Sequence, residues 1–392
     1  MKRDESIASI AKWLGEGARR NPLFTQTFDE FAWRLIAANI PVLRVTLHTG
    51  TLHPQFLGAT YMWWRDVGQT QKVMIAHAIA DLVPYADNPV RRVREGGETL
   101  RRRLAGPDAR LDFSVLHDLK ARGGTEYFAL PVGSPFGFGD YMMSYLADRP
   151  DGFTNRELED LKTLSASLSV IADMNNQRQI AENVLRAYLG PQTGPRVLAG
   201  QIRRGSGESI AAVIWSSDLR GFTALSDRLP GERVIAILND LFDLQAKAIA
   251  EHGGEILKFV GDGLLAIFPA ADPADAARAA RSALAAAQTT LAELRKTIQL
   301  ADERAPRIVI ALHYGTVIYG NIGSADRLDF TVIGPAVNLT ALIESMVLNL
   351  GRSLLLSADF VGAGGIAAQS LGVFPRKGIG VEREIFAPFP VG

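Results

Sequence analysis

The sequence of 392 residues contains no cysteine, which excludes disulfide bonds, thiolate nucleophiles and cysteine-held zinc or iron–sulfur sites. It also has no excess of either charge, because 42 Lys and Arg balance 42 Asp and Glu, so nothing in the composition favours nucleic acid or an anionic membrane as a partner. No stretch reaches the ~18 apolar residues of a membrane-spanning helix, and the charged N-terminal segment lacks a signal-peptide core. We therefore expect a cytoplasmic protein.

The chain is longer than most single domains, and its 47% hydrophobic and 21% charged residues are typical of a folded protein. A polar stretch begins at Asn175, and a segment with glycine and proline, GPQTGPRVLAG, follows it. Such segments commonly separate domains. We therefore predict a regulatory domain over 1–174, a helical linker over 175–205 and a second domain over 206–392.

The first predicted domain alternates helical and strand patterns. The predicted helices cover 1–20, 24–38 and 113–121; the predicted strands are VLRVTLHTG, FLGATYMWWR, 126–132 and YMMSYLAD, with GSPFGFGD as a turn before the last strand. The order predicts an α/β domain. The four histidines of this domain are scattered along it, so we expect core or surface roles for them rather than a shared cofactor.

A long helix is predicted to leave this domain. Thr154 and Glu157 have the spacing of a capping box at its start. Leucines and an isoleucine then recur at alternating spacings of three and four: Leu161, Leu164, Leu168 and Ile171. That pattern is typical of a coiled-coil seam joining two copies of the chain, but a helix packed on its own domain gives the same pattern over so short a stretch.

From Ile210 the pattern changes. An apolar strand ends at Asp218, a helix runs to about His252, two strands flank Gly261-Asp262-Gly263, and an alanine-rich helix over 273–297 precedes the strands RIVIALHYG, IYGNI and LDFTVIG. The order strand–helix–strand–strand–helix–strand predicts a ferredoxin-like α/β sandwich.

Two carboxylates occupy conspicuous positions in that order. Asp218 ends a strand and Asp262 lies at a hairpin tip, and in a ferredoxin-like fold these points can lie side by side. Paired carboxylates suit hard cations such as Mg²⁺ or Mn²⁺, and free amides of a helix beginning within 219–223 would suit phosphate. Taken singly, an Asp at either position is more often a helix cap or a turn residue.

Three segments together resemble class III adenylate and guanylate cyclases: SDLRGFTALSDRL, GGEILKFVGDGLLAIF and DFTVIGPAVNLTALIE. The resemblance covers about residues 205–390. It implies a homodimer that converts a nucleoside triphosphate to a 3′,5′-cyclic nucleotide and pyrophosphate. It further implies that Asp218 and Asp262 hold two Mg²⁺ or Mn²⁺ ions and that Asn338 orients the ribose.

The same resemblance implies which residues contact the substrate. Lys258 and Thr331 fall where the family reads the purine, Gly221 and Phe222 follow the first metal-binding Asp, and Lys377 falls near a phosphate-binding lysine. A lysine only donates hydrogen bonds, adenine N1 accepts one and guanine N1 donates one, so the lysine favours ATP. A solvated strand lysine at 258 and a surface loop lysine at 377 are the alternatives.

One position departs from the family. Four residues after Asn338, where the family carries an arginine that neutralises charge on the α-phosphate, this chain has Leu342. Loss of such a donor commonly lowers the rate by ~10²–10³-fold. The sequence therefore leaves two main functions open, an adenylate cyclase and a weakened homologue that binds nucleotide as a regulatory module. A third, a ligand-binding transcription regulator, is disfavoured because the sequence has no helix-turn-helix pattern and no basic patch.

The first domain resembles a GAF-type sensory domain. The basis is its ending, a strand pair followed by the helix that begins PDGFTNRELEDLKTL. The resemblance implies that this domain receives a small-molecule or protein signal and passes it to the second.

Overall fold

The computed structural model describes residues 6–79, 88–133, 141–298, 307–374 and 383–389. It divides into two compact units, Met1–Ala187 and Tyr188–Gly392. Most of the predicted turn GSPFGFGD, the first five residues of the predicted N-terminal helix and the candidate Lys377 lie outside the described residues.

The N-terminal unit is built on one antiparallel sheet with the strand order β3-β2-β1-β6-β5-β4. Its strands are β1 (Val42–Gly50), β2 (Phe56–Trp64), β3 (Thr70–Ala76), β4 (Leu100–Arg103), β5 (Glu126–Val132) and β6 (Tyr141–Ala147). Its helices are α1 (Ile7–Glu16), α2 (Phe24–Ala37), α3 (Pro89–Gly96), α4 (Ser114–Ala121) and α5 (Asn155–Leu189). β3, α3 and β4 were not predicted from the sequence, because they are short or carry several charges.

Helices pack on both faces of this sheet because its strands place apolar residues on alternate sides. Phe28 of α2, Leu47 of β1 and Leu164 of α5 belong to one buried cluster. Leu116 of α4 and Tyr127 of β5 belong to another. The unit therefore has three layers, with the sheet in the middle.

The capping box at the start of α5 is confirmed. The Thr154 amide donates to Glu157 Oε2 at 2.7 Å, and the Glu157 amide donates to Thr154 Oγ1 at 3.2 Å.

The coiled-coil interpretation of the leucines was wrong, because Leu161, Leu164 and Leu168 are buried in the core of their own unit. A helix lying on a sheet needs the same apolar spacing as a short coiled coil, so the sequence could not separate the two.

The C-terminal unit is built on a second sheet with the order β13-β14-β12-β10-β7-β9-β8, and β11 pairs with β10. Its strands are β7 (Gly207–Arg220), β8 (Glu255–Val260), β9 (Gly263–Ala270), β10 (Arg307–Gly323), β11 (Leu328–Ile333), β12 (Leu354–Ser357), β13 (Ala368–Phe374) and β14 (Arg383–Pro388). Its helices are α6 (Thr193–Leu198), α7 (Phe222–Ser226), α8 (Gly231–Glu251), α9 (Pro273–Ile298), α10 (Pro335–Leu350) and α11 (Ala358–Gly364).

The order β10-β7-β9-β8 within this sheet, together with the connecting helices α8 and α9, confirms the predicted ferredoxin-like topology. Two local predictions were wrong. The strands RIVIALHYG and IYGNI form one continuous strand, β10, and the helix predicted from 219 to 252 is two helices, α7 and α8. The break falls at Pro230, whose ring disfavours a helical conformation in the residue before it.

Candidate active site

The two predicted carboxylates lie at neighbouring strand ends. Asp218 is near the end of β7, where Ser217 pairs with Leu264 of β9. Asp262 belongs to the two-residue turn that links Val260 of β8 to Gly263 of β9. The β8–β9 turn approaches the end of β7 closely, since a methyl group added to Gly263 would lie 3.5 Å from the Cα of Asp218. It would also lie 2.3 Å from the Ser217 carbonyl oxygen, so only glycine fits there.

The pKa of Asp262 reflects its proximity to Asp218. Burial raises the pKa of the Asp262 carboxyl above its usual value, and the neighbouring Asp218 charge raises it further, while Arg220 acts in the opposite direction. The two carboxylates therefore repel each other across the turn. A divalent cation between them would relieve that repulsion.

An ion pair that was not predicted from the sequence lies beside these carboxylates. Arg220, two residues after Asp218, donates from Nη2 to Glu344 Oε1 at 2.8 Å, and its Nε lies 3.5 Å from Asp218 Oδ2. Burial and the Asp218 charge raise the pKa of Glu344. Both residues lie inside the quoted family segments, but their pairing depends on how α10 packs beside β7, which the sequence does not reveal.

The donor set fits a hard cation that also binds phosphate. The described residues contain no group of three or more His, Cys, Asp and Glu side chains placed to hold a metal. Mg²⁺ commonly takes only one or two protein carboxylates and completes its shell with water and substrate phosphates. Asp218 and Asp262 meet that requirement.

Lys258 and Thr331 lie on β8 and β11, which are near one another in the sheet. Lys258 Nζ donates to Asp329 Oδ2 at 3.2 Å, so within one chain its partner is Asp329 rather than Thr331. Thr331 lies two residues further along β11 and is buried. Its Oγ1 has no hydrogen-bond partner in the described part of the chain. This hydroxyl is therefore both unpaired and enclosed among the described residues.

The residues after Asp218 differ from the expectation of an extended helix. β7 continues to Arg220, Gly221 has φ +86°, and α7 begins only at Phe222 and lasts five residues. The ring of Phe222 is partly buried and packs against the core of its own unit.

Asn338 and Leu342 occupy successive turns of α10 and have different surroundings. Asn338 is exposed. Leu342 is half-buried and packs, as Met346 does, against a buried apolar cluster that includes Leu339 and Ile343. The position where the family carries its arginine is thus part of a packed apolar surface.

Residues 208–351 match the family model described as "Adenylate and Guanylate cyclase catalytic domain". An adenylate cyclase of Anabaena cylindrica is 30% identical over 210 residues, which cover 50% of this chain and 41% of the relative. Adenylate cyclase 1 of Rhizobium meliloti is 33% identical over 147 residues, covering 37% of this chain and 22% of the relative. The chain thus spans less than half the length of these curated relatives.

Solved structures of cyclases are also similar to this chain. The adenylyl cyclase CyaB from P. aeruginosa has a TM-score of 0.41 and 24% identity, with 48% of this chain and 100% of that chain covered. The guanylyl cyclase Cya2 has a TM-score of 0.38 and 32% identity, with 46% and 92% covered. The C-terminal unit contains an adenylate and guanylate cyclase catalytic domain, as the family match over 208–351 shows. In the described part of the chain, no helix has both the length and the apolar character needed to cross a membrane.

Proposed function

We propose that the C-terminal unit is an adenylate cyclase that converts ATP to 3′,5′-cyclic AMP and pyrophosphate. The observation that carries this proposal is the apposition of Asp218 and Asp262 at the end of β7 and the β8–β9 turn. Two bound Mg²⁺ or Mn²⁺ ions would activate the ribose 3′-hydroxyl and stabilise the departing pyrophosphate. Asp218 and Asp262 would hold these ions.

The base is read by donors on β8 and β11. Lys258 Nζ donates to adenine N1, and the Thr331 hydroxyl, which lacks a partner among the described residues, bonds the purine beside it. Asn338, exposed on α10, orients the ribose. Gly221 and Phe222 border the triphosphate, and Lys377 binds its phosphates.

The active form is a homodimer in which one copy supplies the two aspartates and the partner copy supplies Lys258, Thr331 and Asn338. Exposed apolar side chains near the carboxylates support this arrangement. Phe259 and Val260, directly before the Gly261-Asp262 turn, are 54% and 59% exposed. A second supporting feature is the outer face of α5, where Val170 and Met174 are also exposed. These surfaces are suited to burial between two copies.

Mixing inactive variants tests the shared site. Asp262→Asn and Lys258→Ala should each be inactive as homodimers, because each removes one half of both sites. Mixed dimers of the two would retain one intact site, so activity should return to roughly a quarter of wild type if the copies pair at random. Mixtures that stay as inactive as either variant alone would contradict a site shared between copies.

A second function is favoured by the surroundings of Leu342. Because this position is packed with Leu339 and Ile343 rather than charged, the domain lacks a preorganised cation for the α-phosphate there. A weakened homologue that binds ATP and acts as a regulatory module is therefore the competing proposal.

The N-terminal unit is proposed to be the GAF-like sensor of this enzyme. Its antiparallel six-stranded sheet, with helices on both faces, and the long exit helix α5 support the proposal. The helix continues from this unit past the division after Ala187, so it is a continuous element through which a signal could be passed.

Incubation of the purified full chain with ATP or GTP in the presence of Mn²⁺ or Mg²⁺ tests the reaction, with the product identified by chromatography. The adenylate cyclase proposal expects cyclic AMP and pyrophosphate in equal amounts. Tight ATP binding without cyclic product, in a protein with a cooperative melting transition, would favour the regulatory module.

A further inference from the structure

The N-terminal unit contains a cavity of about 170 Å³ between α3 and strands β1, β2 and β3. We name it the His48 cavity. Its lining combines two kinds of side chain. The polar ones include His48, Thr60 and Arg94, and the apolar ones are Leu57, Ala59, Ile75 and Val90.

His48 presents a neutral imidazole to this cavity. Burial, reinforced by the charges of Arg44 and Arg94, lowers the pKa of His48 to about 3, so the ring is uncharged at neutral pH. Its Nδ1 lies 2.8 Å from Thr60 Oγ1. With the Thr60 hydroxyl as donor, the single ring proton resides on Nε2. No described residue accepts a hydrogen bond from Nε2, so that N–H is available to a ligand.

Arg94 brings a positive charge to the same cavity. It is half-buried and lines the cavity, and among the described residues no acceptor or carboxylate pairs with it. Its neighbour Arg91, by contrast, forms an ion pair with Glu95 at 2.7 Å. A guanidinium that is partly removed from water gains most from an anion that accepts two hydrogen bonds, and a carboxylate has that geometry.

We propose that the His48 cavity binds a small organic carboxylate. Its carboxylate accepts hydrogen bonds from Arg94 and from His48 Nε2, and its apolar body lies against Leu57, Ile75 and Val90. The volume sets the size, since a cavity of ~150 Å³ holds a benzene ring. Acids from butyrate to benzoate therefore fit. Inorganic phosphate would meet the charge but would leave the apolar lining uncovered.

Calorimetric titration of the full chain with sodium benzoate and sodium butyrate tests the proposal. Benzamide, the uncharged isostere of benzoate, and inorganic phosphate serve as comparison probes. We expect at least one acid to bind and benzamide to bind at least tenfold more weakly. Arg94→Gln should weaken binding of the acid by about tenfold to a hundredfold, the loss expected for hydrogen bonds to a charged group.

Arg92→Gln is the matched control, because Arg92 lies on the same helix, is exposed and does not line the cavity. It should bind the acid as wild type does. If Arg94→Gln lowers the melting temperature, Arg94→Lys replaces it as the test. Lysine keeps the positive charge but loses the paired N–H donors of the guanidinium, so its affinity for the acid should lie between those of wild type and Arg94→Gln.

Three results would overturn the proposal: equal binding of benzamide and benzoate, unchanged binding in both Arg94 variants, or failure of both acids to bind. Binding of phosphate alone would also reject an organic carboxylate. None of these measurements depends on cyclase turnover, so the inference stands apart from the proposed enzymatic activity.

Discussion

Arg220 donates a hydrogen bond to Glu344 at 2.8 Å and lies 3.5 Å from Asp218, so one guanidinium connects the end of β7 to α10 beside the candidate metal carboxylates. It offsets part of the negative charge of three acidic groups, Asp218, Asp262 and Glu344. Burial, Asp218 and Asp262 raise the pKa of Glu344, and Arg220 lowers it without cancelling them. The site therefore holds more negative charge than its own cation neutralises.

This charge excess predicts a pH dependence of stability. The folded pKa of Glu344 is raised, so its contribution to stability is fully present below the unfolded value of 4.5 and is lost as the pH rises through the folded pKa. Glu344→Gln cannot ionise. We therefore expect its melting temperature, relative to wild type, to increase as the pH rises from ~4 to ~7. Thermal melts across that range provide the measurement, and a constant difference between the two proteins would show that Glu344 is not the titrating group.

Asp262→Asn should abolish metal-dependent turnover and leave the fold intact. The substitution removes a metal-binding carboxylate and also removes the repulsion from Asp218, so the melting temperature at neutral pH should not fall. Asp240→Asn, an exposed carboxylate on α8, is the control and should keep wild-type activity. Retention by Asp262→Asn of more than a few per cent of turnover, with the same Mn²⁺ dependence, would refute the metal assignment.

Lys258→Glu combined with Thr331→Cys should move the preference from ATP toward GTP. A glutamate accepts the hydrogen that guanine N1 donates, whereas lysine only donates. Because Lys258 also pairs with Asp329, the single Lys258→Glu variant places two carboxylates together and serves as a control for that repulsion. Competition assays with both nucleotides report the preference, and an unchanged ATP:GTP ratio in a folded double variant would mean that other residues read the base.

Leu342→Arg should raise the turnover number by ~10-fold or more with little change in KM, because a cation is added where charge develops on the α-phosphate. Leu342 is only half-buried, so the aliphatic stem of an arginine can cover the same apolar neighbours while its head reaches solvent. We expect a fall in melting temperature of only a few degrees.

Leu342→Met is the control, since it keeps an apolar side chain of similar volume and should change neither quantity. A strongly destabilised and no faster Leu342→Arg protein would mean that this helix face is committed to packing. The regulatory-module proposal would then be preferred.

The family of the C-terminal unit could be predicted from the sequence because its evidence is local. The segments around Asp218, Asp262 and Asn338 each carry several specific residues in order, and the ferredoxin-like topology follows from the alternation of helical and strand patterns. The helix start at Thr154 was equally predictable, since a capping box involves residues only three apart.

Contacts between distant segments were decided only by the tertiary structure. The leucines of α5 are buried against their own sheet, Arg220 meets Glu344 from 124 positions along the chain, and His48 shares a cavity with Arg94. Apolar spacing shows that a helix face is buried but not what buries it, and residue type shows a charge but not its partner. The partners depend on the order of the strands in the sheet and on which helix packs beside each strand end. Only that packing determines which side chains are buried against one another.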